Sequence, residues 1–407
     1  MKKTVVLVSL ALFACQMGVG GAGGPPPRDP PPGPDGPLRG ERHRARVFIS
    51  GHSLLDQPLP DDIALIARSL GDDYQFEVQN LFGSTLAART RGEETSAART
   101  RGAESAGSAS WSGYRAGKNR SGSGLDVVSE LRSPTRLPTG DRYDTLLVTE
   151  RHDIVWSIQA EGTTPLLRHF HDRLLEGNPQ GRTLFFQGWL ELDKDAPGQW
   201  MDYERRARAA WECVASKVNL TLAGDRRWPA VETLPASTAL VALVERALAD
   251  PPAVHGIAGT PRQRLDAIFA DNVHLTPLGA YFIAAASYAA IFRRSPLGAA
   301  APPGVSAEAA RDLQGIAWDH LRGYLARPHQ RTMEECRALV SDLCAPFWKM
   351  IEPESLRHSG FLGRQLVRLR TARNARRCRR DFADPAWEAN PFRWPDPALP
   401  PLPPLTR

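Results

Sequence analysis

The sequence predicts an α/β fold, and three observations carry that prediction. Short apolar runs with strand character alternate with segments of helical periodicity; polar or glycine-bearing residues follow the strand-like runs; and 42% of the 407 residues are hydrophobic, enough to bury a substantial core. Strands that alternate with helices pair in parallel through crossovers, and functional residues then gather where the strands end. The length suits one large α/β domain with appendages, or two ordinary domains.

From the amino terminus, Met1-Lys2-Lys3 and the apolar run 4–14 have the charged and hydrophobic regions of a secretory signal, too short for a spanning helix. Cys15 directly follows Leu12-Phe13-Ala14, as in a bacterial lipoprotein signal whose cysteine becomes lipidated; an ordinary signal cut within residues 18–24 is the alternative. Either predicts export, to the periplasm or cell envelope with a lipid anchor, or secretion. The expected division is a signal over 1–22, a Pro/Gly-rich linker over 23–43, an α/β domain over 44–296, a helical extension over 305–380 and a Pro-rich tail over 381–407.

Within the domain, residues 46–50 read as a buried strand ending at Gly51, and 61–70 as a helix with Ile63, Ile66, Ala67 and Leu70 on one face. Residues 76–80 alternate as a second strand that breaks at Phe82-Gly83-Ser84. An imperfect tandem follows, 87–92 repeated at 97–102, rich in small and polar residues and read as an expanded loop. Residues 145–149 form a third predicted strand, followed by Glu150-Arg151-His152-Asp153. A helix over 164–176 leads to a fourth strand at 182–186 and then Gln187-Gly188-Trp189. Further helices are expected over 201–218, 237–248 and 280–292, and shorter ones over 307–380.

Beyond Cys15 stand four cysteines, Cys213, Cys336, Cys344 and Cys378, an even set in a compartment where disulfides persist. Three connectivities exist, of which Cys336–Cys344 is the most local; no CxxC pair suggests zinc. The formal charge is +6, and much of the positive charge gathers over residues 357–380. Such a run could meet nucleic acid or anionic lipid, but without interleaved aromatics it reads as a solvated helix face, and no nucleic-acid partner is expected.

Two short stretches bear chemistry. Ser53 in Gly51-His52-Ser53-Leu54 follows the first strand, where a serine projects from the carboxyl edge of the sheet. Asp271-Asn272-Val273-His274 precedes the last helix of the domain, and an Asp three residues before a His lets the carboxylate fold back onto the imidazole. Each alone is weak, since Ser53 or Asp271 could simply cap a helix. Together they resemble the SGNH hydrolase superfamily, the GDSL esterases and lipases, over roughly residues 44–296. Gly51-His52-Ser53-Leu54 matches that family's G-[DN]-S-[LI] block, with His52 in place of Asp or Asn, and Asp271 and His274 match its D-x-x-H block. The resemblance implies a three-layer α/β/α sandwich on a parallel, flavodoxin-like sheet, with Ser53 as nucleophile, His274 as base and Asp271 as its orienting acid. Gly83 would offer an oxyanion N–H beside that of Ser53.

The family's third block, G-x-N-D after the third strand, is not matched. That place reads Thr149-Glu150-Arg151-His152-Asp153, so His152, Arg151 or Asn119 is the candidate replacement donor, and Glu150 either orients a substrate hydroxyl or forms a strand-end ion pair. Trp111, Tyr114, Arg115 and Asn119 lie in one loop that suits a sugar ring, with Trp189 and Trp200 as further stacking surfaces; the alternative is a loop that folds its aromatics under itself. No phosphate loop, dinucleotide fingerprint or H-E-x-x-H is present, so no metal or cofactor is implied. The expectation is an exported serine esterase acting on an acylated small molecule or polysaccharide, most directly an O-acyl group on a carbohydrate. A lipase or thioesterase, a sugar acyltransferase, and a non-catalytic envelope or glycan-binding protein on the same fold are the alternatives.

Overall fold

The run Val47-Phe48-Ile49 lies in a strand, β1 (Arg44–Gly51), that is buried along nearly its whole length. The computed structural model describes residues 43–92, 111–227, 229–357, 360–386 and 390–392. The signal segment with Cys15, the linker, the second copy of the tandem and most of the tail therefore lie outside the described residues. β2 (Asp73–Asn80), β3 (Thr145–Thr149), β4 (Arg182–Phe186) and β5 (Val231–Leu234) join β1 in one five-stranded sheet, order β2-β1-β3-β4-β5, with every pair parallel. Apolar, β-branched and aromatic side chains point to both faces of the central strands, so both faces must be covered.

The helices that cover them are α1 (Leu59–Ser69), α2 (Leu86–Thr90), α3 (Val127–Arg132), α4 (Ile154–Ala160), α5 (Thr163–Gly177), α6 (Pro197–Gly224), α7 (Ala236–Leu248), α8 (Pro261–Asp266), α9 (Pro277–Phe292), α10 (Ala307–Leu325), α11 (Met333–Arg357) and α12 (Phe361–Ala383). One layer packs α1, α7, α9 and α10 on Val47, Ile49 and Leu147. The other packs α4, α5, α6 and α11 around Phe48, Leu146, Val148 and Phe185. The result is a helix–sheet–helix sandwich whose strand order reverses between β1 and β3, and a crevice opens at such a switch point at the carboxyl ends of the strands.

Two details depart from the sequence reading, and the structure adds two more to it. β5 is not legible in the sequence: the five residues between Pro229 and Pro235 are too few to display a period, and four of them are recruited by β4 at the sheet edge. The first copy of the tandem is not loop but α2, capped by the Thr85 side chain, with Arg89 wholly buried. The expected helical carboxy-terminal region is present, and Leu313, Ala317 and Leu321 of α10 pack into the α1/α7/α9 layer. Finally, the disulfides join Cys213 to Cys336 and Cys344 to Cys378. Cys336 and Cys344 share α11, where eight residues of rise separate them by about 12 Å, beyond the roughly 7 Å that a disulfide spans. The two bridges instead tie α11 to α6 and α12 to α11.

Candidate active site

Ser53 owes its position to the exit of β1. The chain leaves Gly51 and tightens at once into a single 3-10 turn, Ser53–Leu55, so Ser53 stands at the carboxyl edge of the sheet beside the switch point. His52 holds that turn. It is buried, its Nδ1 accepts the Leu54 N–H at 3.4 Å, and its Nε2 lies 3.2 Å from the Glu150 carbonyl oxygen at the end of β3. Burial, reinforced by the charges of Arg89, His152 and Arg151, lowers the His52 pKa to about 3. The ring is therefore neutral, with its proton on Nε2 donated to that carbonyl, and one imidazole ties the β1 exit to the β3 exit.

Asp271 and His274 sit on a small hairpin closed by backbone bonds. Ala270 N–H donates to the His274 carbonyl at 2.9 Å and Thr276 N–H to that of Ile268 at 2.9 Å. Thr276 then caps α9, and Gly279 in its first turn passes so close to the hairpin that a Cβ would stand 2.4 Å from the Ile268 oxygen. Two bonds from the segment after β4 clamp the other side: Trp189 Nε1–H donates to the Val273 carbonyl at 2.9 Å, and Leu192 N–H to that of Asn272 at 2.7 Å.

This arrangement brings together three residues from distant parts of the chain. The Ser53 hydroxyl lies 3.0 Å from His274 Nε2, and His274 Nδ1 lies 2.7 Å from Asp271 Oδ2. Asp271 Oδ1 meanwhile accepts the Val273 and His274 N–H groups at 2.7 and 2.6 Å. Partial desolvation raises the Asp271 pKa, but these two amides and the imidazole outweigh it and hold the carboxyl below its usual value. An ionised Asp271 fixes the proton on Nδ1 and leaves Nε2 as the acceptor facing Ser53.

Backbone donors stand nearby. The Ser53 and Gly83 amides make no hydrogen bond within the described residues. Gly83 has φ +62°, a left-handed conformation that glycine adopts at little cost, and the space beyond its Cα is open. The preceding Phe82 lays its exposed ring on the His274 imidazole, centroids 6.4 Å apart and 24° between planes, so this turn flanks the Ser–His pair. A buried network holds the turn. Arg89 donates to the Ser84 hydroxyl at 2.7 Å, to Ser50 Oγ at 3.1 Å and to the Thr149 carbonyl, while Glu150 accepts the Leu86 N–H at 2.8 Å.

Most of the other anticipated residues fall elsewhere. Glu150 is wholly buried, its oxygens taken up by the amides of Leu86 and Arg151 and by the Thr163 hydroxyl, so it meets no substrate. Burial raises its pKa against the pull of those donors and of Arg89. His152 lines a cavity of ≈ 120 Å³ with Leu190, Asn272 and Lys349 rather than the one holding Ser53. Trp111 stacks on His169 at 3.6 Å, and the Tyr114 hydroxyl bonds the same ring at 2.7 Å, so the loop does fold its aromatics inward. Arg115 pairs with Asp126 at the surface; the Asn119 side-chain oxygen accepts from the 119–123 turn, while its buried Nδ2 has no partner among the described residues and Asn119 lines the larger cavity beside the serine. Trp189 and Trp200 are core residues, and Trp189 positions the hairpin instead of stacking a sugar. His52 and Arg89 were not foreseen as positioning residues; the only signal was His52 standing where the resemblance expects Asp or Asn.

Two spaces adjoin the serine. A cavity of ≈ 110 Å³ contains Ser53, His274, Trp189, Leu275 and Ile283 in its wall. A larger one of ≈ 620 Å³ shares Asp56 and Gln57 with it and is lined further by Phe82, Lys118, Asn119 and Arg120.

Fold and site together define an α/β protein with a Ser–His–Asp hydrogen-bond chain at the carboxyl edge of a parallel sheet. No family model matches the chain. No curated protein matches it. Among solved structures, it is similar to a DUF4886 family protein from Bacteroides uniformis, with 13% identity and a TM-score of 0.40 over 69% of this chain and 95% of that one.

Proposed function

We propose that the protein is a serine hydrolase that cleaves a carboxylic ester, and the observation that supports this reading is the unbroken chain Ser53–His274–Asp271 beside two amides that make no hydrogen bond among the described residues. Ser53 Oγ attacks the ester carbonyl carbon as its proton passes to His274 Nε2, and the Ser53 and Gly83 N–H groups receive the charge that develops on the carbonyl oxygen. Collapse breaks the bond to the alcohol oxygen, which takes the proton from His274 and departs. Water then loses a proton to the same nitrogen, attacks the acyl-serine and releases the acid and the free serine. Asp271 stays ionised throughout and offsets the imidazolium charge.

The small cavity at Ser53 and His274 favours a short acyl group, because a void near ~150 Å³ holds about one benzene-sized molecule. The larger cavity, with Asp56, Gln57, Lys118, Asn119 and Arg120 in its wall, then takes the alcohol part, which suits an O-acylated carbohydrate. Fluorophosphonate labelling read by intact mass is the first test. One adduct on the native protein, absent from Ser53→Ala and His274→Ala, is expected, with acetyl esters turned over faster than octanoyl esters. No adduct on folded protein rejects hydrolysis and leaves a glycan-binding role; an octanoyl preference rejects the short-acyl assignment alone.

A further inference from the structure

Helix α12 carries an outward face that the fold does not use. Leu362, Leu366 and Leu369 are 77%, 67% and 68% exposed, at spacings that put them on one stripe. At 3.6 residues per turn, Arg373, Arg376 and Arg380 continue the same face toward the carboxyl end of the helix. The helix holds eight arginines against the single acid Asp381, and Arg368, Arg370, Arg373 and Arg376 form no ion pair among the described residues.

The location of this face is set by α11. Cys336 near its start is bonded to Cys213 of α6, while Lys349, Met350 and Ile351 near its end lie with Ala196 and Gln199 at the start of α6 and with Asn272 of the Asp271–His274 hairpin. α11 therefore runs antiparallel to α6 toward the edge of the sheet where Ser53 stands, and α12 begins just beyond it. No helix among the described residues is long and apolar enough to cross a membrane. An exposed leucine patch beside a cluster of arginines offers an anionic bilayer both of the contacts it takes, leucine side chains among the acyl chains and guanidinium groups among the phosphates.

We propose that α12 docks the protein on an anionic lipid surface, with the leucine end inserted and the arginine end on the headgroups, presenting the Ser53 edge toward that surface. Nucleic acid would use the arginines but gain nothing from the three leucines, so lipid is the occupant the face fits. The inference does not depend on the hydrolase reading, because it concerns a surface that contains no residue of the Ser–His–Asp chain.

The test is cosedimentation of the full chain carrying Cys15→Ser, so that no acyl group is attached there, with vesicles of phosphatidylcholine containing about one-third phosphatidylglycerol. The apolar stretch at 4–14 is common to every variant, so differences between variants report α12. Replacing Leu362, Leu366 and Leu369 by Gln, or Arg368, Arg370, Arg373 and Arg376 by Gln, is expected to lower the partition coefficient about tenfold or more. Only the native protein's excess over neutral vesicles should disappear at about 0.5 M salt. All seven side chains are exposed, and an unchanged melting temperature confirms that the variants fold. Vesicle binding unaffected by both sets of changes overturns the proposal, as does strong binding to duplex DNA lost with the arginines but not the leucines, or a dimer that dissociates on loss of the leucines without any effect of lipid. Ser53→Ala should bind vesicles like the native protein; binding that persists while labelling fails separates this inference from the proposed chemistry.

Discussion

His52 decides how well Ser53 is placed, since its ring caps the serine turn and reaches the end of β3 at once. His52→Asn keeps a cap for the Leu54 amide and is expected to retain ester turnover within about tenfold, whereas His52→Leu, which can make neither bond, should lose ~10²-fold in kcat/KM through misplacement of the nucleophile. Asp271→Asn should cost ~10⁴-fold in kcat by favouring the wrong tautomer of His274, with the melting temperature unchanged because Asp271 is exposed. Arg89 acts through the turn that carries Gly83, by its bonds to Ser84 and Ser50. Burial lowers its pKa to about 10, with the Glu150 charge opposing, so it stays protonated. Arg89→Met removes the donors to Ser50, Ser84 and the Thr149 carbonyl together with a positive charge that favours the ionised Glu150, and urea unfolding should register a loss of stability that adding Glu150→Gln restores only in part.

At the scale of elements, the two disulfides have separate tasks. Cys213–Cys336 closes a sequence separation of 123 and Cys344–Cys378 one of 34, which in the chain-entropy account correspond to about 5 and about 4 kcal/mol against the unfolded chain. Cys344→Ser/Cys378→Ser should loosen α12 from α11, seen as faster amide exchange there, while the sheet and the Ser53 adduct persist. Cys213→Ser/Cys336→Ser should lower the global melting temperature, because it frees the whole α11–α12 pair from α6. Equal effects of the two double variants on sheet exchange would contradict this division.

For the whole molecule, Glu204 links stability to pH. It is buried in α6 and accepts the Leu190 amide at 2.7 Å, next to Trp189, which clamps the Asp271–His274 hairpin. Burial raises its pKa to about 8, against the opposing pull of that amide. Below about pH 4.5 both folded and unfolded chains hold this proton; above it the unfolded chain releases the proton first, so stability declines until the folded group ionises near pH 8. Thermal melts of Glu204→Gln should therefore lose less stability than the native protein between about pH 5 and pH 8, and parallel melting curves would refute the assignment.

The sequence by itself determined the alternation of strands and helices, the parallel sheet that follows from it, and the two local stretches that hold Ser53, Asp271 and His274. Those features are short-range: a buried strand shows in its own apolar run, and Asp271 reaches His274 within one turn of chain. Tertiary structure decided what depends on neighbours. β5 exists because β4 offers an open edge, α2 because Arg89 finds Ser50, Ser84 and Thr149 around it, and the cysteine pairing because α11 lies between α6 and α12. The inward turn of Trp111, Tyr114 and Trp189 belongs with these, since a large aromatic ring reads the same in sequence whether it meets a ligand or the core. The hydrogen bond between Ser53 and His274 joins residues 221 positions apart, and only the packing of α9 and its hairpin against the β1 exit closes that distance to 3.0 Å.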